Sequence, residues 1–281
     1  MNSGDGFYEG VERKLHYRWW SATDPSWVVL FAHGFGDHSG RWQRYGETLA
    51  EAGGAVFAPD HRGHGLSAGD RAVVEDFDVV AAEYLKLREE SLFPGDLPLI
   101  LAGHSMGGLV VARAALSGDV NPAGLAISGA RLGRWSVADA LVESIERGDA
   151  TPAPGQGHPL LDPKTDIAPD ALSRDTSIVE LFLNDELAYK GPWPVPTLRA
   201  TVRAEKQLED AGEGALALPV LYMHGGGDYI TPFRGSVQRL ATLVAEDLEV
   251  RIYPGARHSI FNEINREEIF GVLTAFIARV V

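Results

Sequence analysis

The chain has 281 residues, with 39 acidic against 25 basic side chains and a formal charge of −14, a balance that disfavours nucleic acid and anionic lipid surfaces as partners. It contains no cysteine, which excludes disulfides and thiol catalysis, and a chain of this length buries roughly three quarters of its unfolded surface, enough for one large α/β unit carrying an insertion. The first residues lack a basic stretch followed by an apolar one and no segment approaches about 18 apolar residues, so neither export nor a membrane span is expected and the location is read as cytoplasmic.

Apolar runs at 15–20 and 27–32 predict strands, near enough in the chain to pair as an antiparallel hairpin. The second run leads into His33-Gly34-Phe35-Gly36, where the glycines let a backbone N–H turn toward a site, and Phe35 is assigned as that donor. A helix over 41–52, a strand at 55–59, a helix over 74–92, a strand at 97–102, a helix over 106–116 and a strand at 125–128 follow. Strands alternating with helices imply parallel strands joined by crossover helices, and with the hairpin they make a mixed, mostly parallel sheet.

Between the 97–102 strand and the 106–116 helix stands Gly103-His104-Ser105-Met106-Gly107, a Gly-x-Ser-x-Gly string at a strand-to-helix junction. Such an elbow lifts the serine hydroxyl above the sheet edge, and glycine two residues to either side lets strand and helix close up without a Cβ clash. Ser105 is therefore the candidate nucleophile, and the Met106 N–H at the helix start is a candidate oxyanion donor alongside Phe35.

Beyond Gly129 the pattern changes. Residues 131–196 carry short helical stretches at 135–145 and 177–187 around a Pro- and Gly-rich loop at 151–159, with no strand signal. This predicts a helical cap inserted into a core made of 1–130 and 197–281. The cap would overlie the carboxyl ends of the strands, where open α/β sheets hold their sites. Leu132, Trp135, Val137, Leu141, Val142, Ile145, Ile178, Val179, Leu181, Phe182 and Leu183 give it apolar surface both to pack on the core and to line a tunnel.

A helix over 197–209 and two final strands restore the core pattern. The first strand ends in Gly225-Gly226-Gly227 and exposes Asp228; the second turns at Pro254-Gly255 and leads to His258. A serine hydroxyl needs a base to take its proton and a carboxylate to orient that base, and the order Ser, Asp, His supplies both on loops after strands. Asp228 could instead merely close its turn, and His258 could be a solvated loop residue; their order in the chain favours the catalytic reading. His104 is read as a buried structural histidine. His16, His38, His61, His64, His158 and His224 lack metal-ligand spacing on a helix, so no metal is expected.

With these motifs in place, the chain resembles the monoacylglycerol lipase and lysophospholipase group of alpha/beta-hydrolases. The matching strings are His33-Gly34-Phe35-Gly36-Asp37-His38-Ser39-Gly40-Arg41-Trp42, the 59–67 segment Pro-Asp-His-Arg-Gly-His-Gly-Leu-Ser, the elbow, the His224-Gly225 turn leading to Asp228, and the 253–263 segment around His258. The resemblance implies an alpha/beta-hydrolase fold, a Ser105–His258–Asp228 triad, Phe35 and Met106 as oxyanion donors, and no cofactor. It also implies that the 60–67 loop shapes the site floor. Ser259 stands where the group often has an acidic residue, and the bulky Phe35 where smaller side chains are common. The expected activity is hydrolysis of lipophilic monoesters, monoacylglycerols first, with other bulky or aromatic monoesters such as monoalkyl phthalates as an alternative. A proline-iminopeptidase-like peptidase, holding a free amino terminus through Glu180, Asp185 and Glu186, is a further alternative. The expected partner is a small lipophilic ester, with transient lipid contact through the cap.

Overall fold

The computed structural model describes residues 1–134, 139, 140, 142, 143, 147, 168 and 170–281. Eight strands lie among them: β1 (Asn2–Glu9), β2 (Lys14–Ser21), β3 (Val28–Ala32), β4 (Ala55–Pro59), β5 (Leu99–His104), β6 (Gly124–Ser128), β7 (Val220–Gly225) and β8 (Leu248–Tyr253). They form one sheet in the order β1-β2-β4-β3-β5-β6-β7-β8, antiparallel across β1-β2 and β2-β4 and parallel from there on. The described α-helices are α1 (Gln43–Glu51), α2 (Phe77–Lys86), α3 (Met106–Leu116), α4 (Ser177–Asn184), α5 (Val195–Asp210), α6 (Phe233–Leu243) and α7 (Arg266–Val280). This is the mixed, mostly parallel sheet that the alternating pattern predicts, and the alpha/beta-hydrolase architecture that the resemblance implies.

The alternation of side chains along each strand sorts the core into two layers. Val28, Leu30 and Ala32 of β3 pack on one face with α2, α3 and residues of α5 and α6, whereas Val29 and Phe31 pack on the other with α1 and α7. Tyr222 and Leu221 divide β7 in the same way. Both faces of the central strands are thus covered, which is why β3, β4 and β6 read as unbroken apolar runs rather than alternating ones.

One expectation about the sheet needs correction. The 15–20 and 27–32 strands do not form a hairpin: β2 pairs with β4, and β3 lies between β4 and β5. The five buried residues of β4 need a ladder on both sides, and the crossover through α1 delivers them into the slot between β2 and β3. β1, for which the sequence raises no expectation, carries no apolar signature. Only Tyr8 of its eight residues is buried, and it is held by its backbone ladder to β2 from Asn2↔Ser21 to Glu9↔Lys14. The 74–92 helix is shorter than its periodicity suggests, opening at Asp76, whose side chain caps the Asp78 N–H at 2.8 Å, and tightening into a 3-10 turn at Leu87–Glu89.

Because β4 and β5 lie on opposite sides of β3, the chain reverses its direction of winding there, and the loops after β3 and β5 part to leave a crevice at the carboxyl edge. The helix expected over 135–145 falls largely, and the loop over 151–159 wholly, outside the described residues. No helix among the described residues is long and apolar enough to cross a membrane.

Under the crevice, the 60–67 loop is pinned by Arg62, whose guanidinium grips the buried Glu83 of α2 through two bonds of 2.9 and 2.6 Å. Removing one member strands the other charge away from water. Glu83→Ala is expected to destabilise the fold by about 3–5 kcal/mol in chemical denaturation; a change within about 0.5 kcal/mol would mean that Arg62 is not held by this pair.

Candidate active site

Ser105 sits between β5 and α3 with φ 55° and ψ −121°, a conformation that a non-glycine residue adopts only under constraint. The constraint is the closeness of its flanks. A Cβ on Gly103 would stand 2.3 Å from the Gly107 carbonyl oxygen, and one on Gly107 would stand 2.0 Å from that of Ala32. Backbone cannot yield to such contacts, so glycine is required at both places. The Ser105 N–H donates to the Ser128 carbonyl of β6 at 2.8 Å, fixing the elbow to the neighbouring strand. Met106 opens α3, so its N–H has no acceptor within the helix.

The loop after β3 comes up beside this serine. A Cβ built on Gly34 would lie 3.1 Å from Ser105 Cβ, and Phe35 lines the same cavity as Ser105. Below it, His33 donates through Nδ1 to the Gly34 carbonyl at 2.8 Å, and its Nε2 accepts the His61 N–H at 3.0 Å. Asp60 accepts the Ser39 and Leu66 N–H groups at 2.7 and 2.9 Å and lies 2.8 Å from His16 Nδ1. Burial alone would raise the Asp60 pKa, but the His16 hydrogen bond and its neighbours hold it below the usual range. The 60–67 loop thus fastens the underside of the loop that carries Phe35.

Asp228 and His258 meet across the ends of β7 and β8. The His258 Nδ1 is 2.8 Å from Asp228 Oδ2, and the other carboxylate oxygen accepts the N–H groups of Ile230 and Thr231 at 2.8 and 3.1 Å. Burial would push this carboxyl up, yet the charge of His258 and the hydrogen bonds from His224 and His258 hold it well below its ordinary value. It is therefore a carboxylate at neutral pH. His258 and Ser105 line one cavity of about 90 Å³, without a hydrogen bond between their side chains. His104 is buried, 3.0 Å from Ser128 Oγ through Nδ1 and 4.8 Å from the His258 ring, and burial lowers its pKa.

The remaining wall comes from residues 172–193 and the loop after β7: Leu172, Phe182, Tyr189, Trp193 and Ile230. Of the apolar residues expected to line a tunnel, Phe182 does so; Leu132, Ile178 and Val179 are buried in packing, and Leu181 and Leu183 face outward. Trp135, Val137, Leu141 and Ile145 lie outside the described residues. Trp193, which sequence reasoning missed, stacks on Phe35 with ring centroids 4.1 Å apart. Segments of this wall are tied to the loops beneath: Tyr189 N–H donates to the Gly36 carbonyl at 2.8 Å, His38 Nε2 lies 2.8 Å from Asp185, and Ser259 N–H donates to the Leu172 carbonyl at 2.7 Å. Thr231, also missed, bridges Asp228 Oδ2 at 2.9 Å and the Gly129 carbonyl at 2.8 Å. Among the described residues no group of three or more His, Cys, Asp or Glu is placed to hold a metal ion.

Residues 23–265 match the family described as serine aminopeptidase, S33. The chain is similar to the monoacylglycerol lipase of Mycolicibacterium smegmatis, 29% identical over 271 residues, 95% of this chain and 94% of that protein. It is also similar to the human monoglyceride lipase, 29% identical, with 89% of this chain and 85% of that protein covered. Among solved structures, that of a monoacylglycerol lipase from Paleococcus ferrophilus superposes with a TM-score of 0.75 at 27% identity, covering 95% of this chain and 99% of that one.

The histidines beneath the Phe35 loop carry a pH dependence. Burial holds His61 at about 3 and His64 at about 4, against 6.5 when solvated. The unfolded chain therefore takes up protons below pH 6.5 that the folded one refuses, and stability falls as pH drops toward those values. Each histidine contributes a slope of about 1.4 kcal/mol per pH unit. His64→Asn retains a donor toward the Arg62 carbonyl and is expected to flatten the denaturation-midpoint profile between about pH 6 and pH 4 by one such slope; an unchanged profile would show that His64 titrates normally.

Proposed function

The chain belongs to the alpha/beta-hydrolase family described as serine aminopeptidase, S33, and from that premise we propose that it is a serine hydrolase of lipophilic carboxylic monoesters, with monoacylglycerols as its first substrates. One observation carries the reading: a serine held at a positive-φ elbow shares an apolar cavity with a histidine whose far nitrogen is bonded to a buried carboxylate. In this mechanism Ser105 attacks the acyl carbonyl while His258 takes its proton through Nε2. Asp228 keeps Nδ1 protonated and stabilises the imidazolium that forms. The Phe35 and Met106 N–H groups receive the oxyanion. His258 then protonates the departing alcohol, and a water activated by the same base releases the acid from Ser105.

The aromatic and aliphatic walls of the cavity support a lipophilic substrate. Its two charged lining residues, Asp37 and Arg41, face each other at 2.9 Å and leave little free charge for a substrate amine. Asp185 is likewise engaged by His38, and Glu180 and Glu186 are exposed, so the peptidase alternative has weaker support. We assign 131–196 as the cap and 1–130 with 197–281 as the core. The outward Leu181 and Leu183 of α4 favour transient lipid contact through that cap.

Initial rates on monoacylglycerols, p-nitrophenyl esters of rising chain length, monoalkyl phthalate and proline anilide test the proposal. Monoacylglycerol is expected to give the highest kcat/KM, with Ser105→Ala and Asp228→Asn each losing about 10⁴-fold or more. Anilide turnover exceeding ester turnover, or full activity in Ser105→Ala, would overturn it. Phe35→Ala keeps the backbone donor but removes the ring against Trp193, and is expected to raise the relative kcat/KM of bulkier esters by about tenfold. An unaltered chain-length profile would remove that ring from the specificity argument.

A further inference from the structure

Asp228 Oδ2 is approached by a second histidine. His224 Nε2 stands 3.0 Å from it and is 2.7 Å from the Thr231 carbonyl oxygen. Both groups facing this nitrogen are acceptors, so it carries a proton, which is donated to the Thr231 carbonyl beside the carboxylate. Its other nitrogen, Nδ1, lies 2.6 Å from the hydroxyl of Tyr222, two residues earlier on the same face of β7. Tyr222 is fully buried, and its hydroxyl is also 2.8 Å from the Ala130 carbonyl. That carbonyl is already supplied by the Ser236 hydroxyl at 2.9 Å. The tyrosine hydroxyl bridges the imidazole and this carbonyl, and so holds the His224 ring in place.

His224 donates to the Thr231 carbonyl while its ring stands against Asp228 Oδ2, and His258 donates to the same carboxylate oxygen. His224 and Tyr222 are both wholly removed from solvent, and β7 sets their spacing. The Ile230 and Thr231 N–H groups hold Oδ1, His258 and the Thr231 hydroxyl meet Oδ2, and His224 both stands against Oδ2 and fastens the Thr231 turn that supplies two of these contacts.

We propose that His224, oriented by Tyr222, is a positioning residue for catalysis that locks the Asp228 carboxylate in the plane that His258 requires. The inference rests on the triad reading above. His224 acts through Asp228 and touches no substrate. Its contribution is realised when His258 becomes cationic, in the transition state rather than in the bound ester, so it belongs to kcat and not to KM.

The test uses the intact enzyme with a p-nitrophenyl ester and three variants. His224→Leu removes the donor and keeps an apolar side chain in a buried place; His224→Gln keeps an N–H at a similar reach; Tyr222→Phe leaves the packing and removes only the hydroxyl that holds the ring. His224→Leu is expected to lose about 10- to 100-fold in kcat with KM unchanged. His224→Gln should recover most of that loss, and Tyr222→Phe should show a smaller loss in the same direction. The far-downfield proton resonance of the His258–Asp228 bond should shift or broaden in His224→Leu and return in His224→Gln. If His224→Leu does not fold, Tyr222→Phe and His224→Gln decide, because neither leaves a void. Wild-type kcat and an unmoved resonance in Tyr222→Phe, together with no difference between the two His224 variants, would sink the inference while leaving the triad intact. Ser105→Ala run in parallel separates the cases: if it hydrolyses normally, the triad reading and this inference fall together.

Discussion

The close approach of β5 and α3 around Ser105 is the constraint on which the rest of the site depends. A residue at φ 55° and ψ −121° costs about 1–3 kcal/mol, and it persists only where its surroundings leave no alternative. Here they leave none. The helix presses on the strand through Gly103 and Gly107 at distances that no Cβ could occupy, and the serine N–H is bound to β6. The same turn places Ser105 directly before α3, so the N–H groups that a helix leaves unpaired at its first turn begin next to the serine.

Around that elbow, each of the other loops is held from two directions. The loop after β3 is fastened below by the His33, Asp60 and His61 network and above by Tyr189 and Asp185. The His258 loop is fastened above by Leu172, and Glu263 accepts the Arg257 N–H at 2.7 Å and the Arg174 guanidinium at 2.8 Å. Loops that would otherwise be mobile become rigid through buried polar bonds. Those bonds are strong because water is absent, and leaving one of their groups unpaired would be correspondingly costly. The buried carboxylates Asp60, Glu83, Asp228 and Glu263 all stand among donors, and this is how an acidic protein keeps charge inside without losing stability to it.

Much of this was legible in the residues. The strand at 55–59 and the helix at 106–116 have the bounds that their patterns predict, because each is an apolar run ended by a strong punctuation: Pro59 in one case and Ser117-Gly118 in the other. β1 was not legible, since its Asn, Ser, Gly and Asp residues bury almost nothing and its stability comes from a ladder with β2 that no side chain advertises. Likewise, Thr231, Trp193 and the Tyr222–His224 pair carry no motif. A threonine after an aspartate turn or a tyrosine in a buried strand is ordinary until the partner across the sheet is known.

What the chain determined by itself was local: the elbow chemistry of glycine around Ser105, the order Ser, Asp, His along the polypeptide, and the alternation that demands a covered, mostly parallel sheet. These depend on the backbone preferences and spacing of neighbouring residues, which is the information a linear string holds. Which strand lies beside which, and therefore that β4 separates β2 from β3, was decided only by tertiary structure. So was the meeting of Asp228 Oδ2 with His258, Thr231 and His224 within 3.0 Å. Both are settled by competition among many possible long-range pairings, and the winner is the packing that satisfies all the buried hydrogen-bonding groups at once.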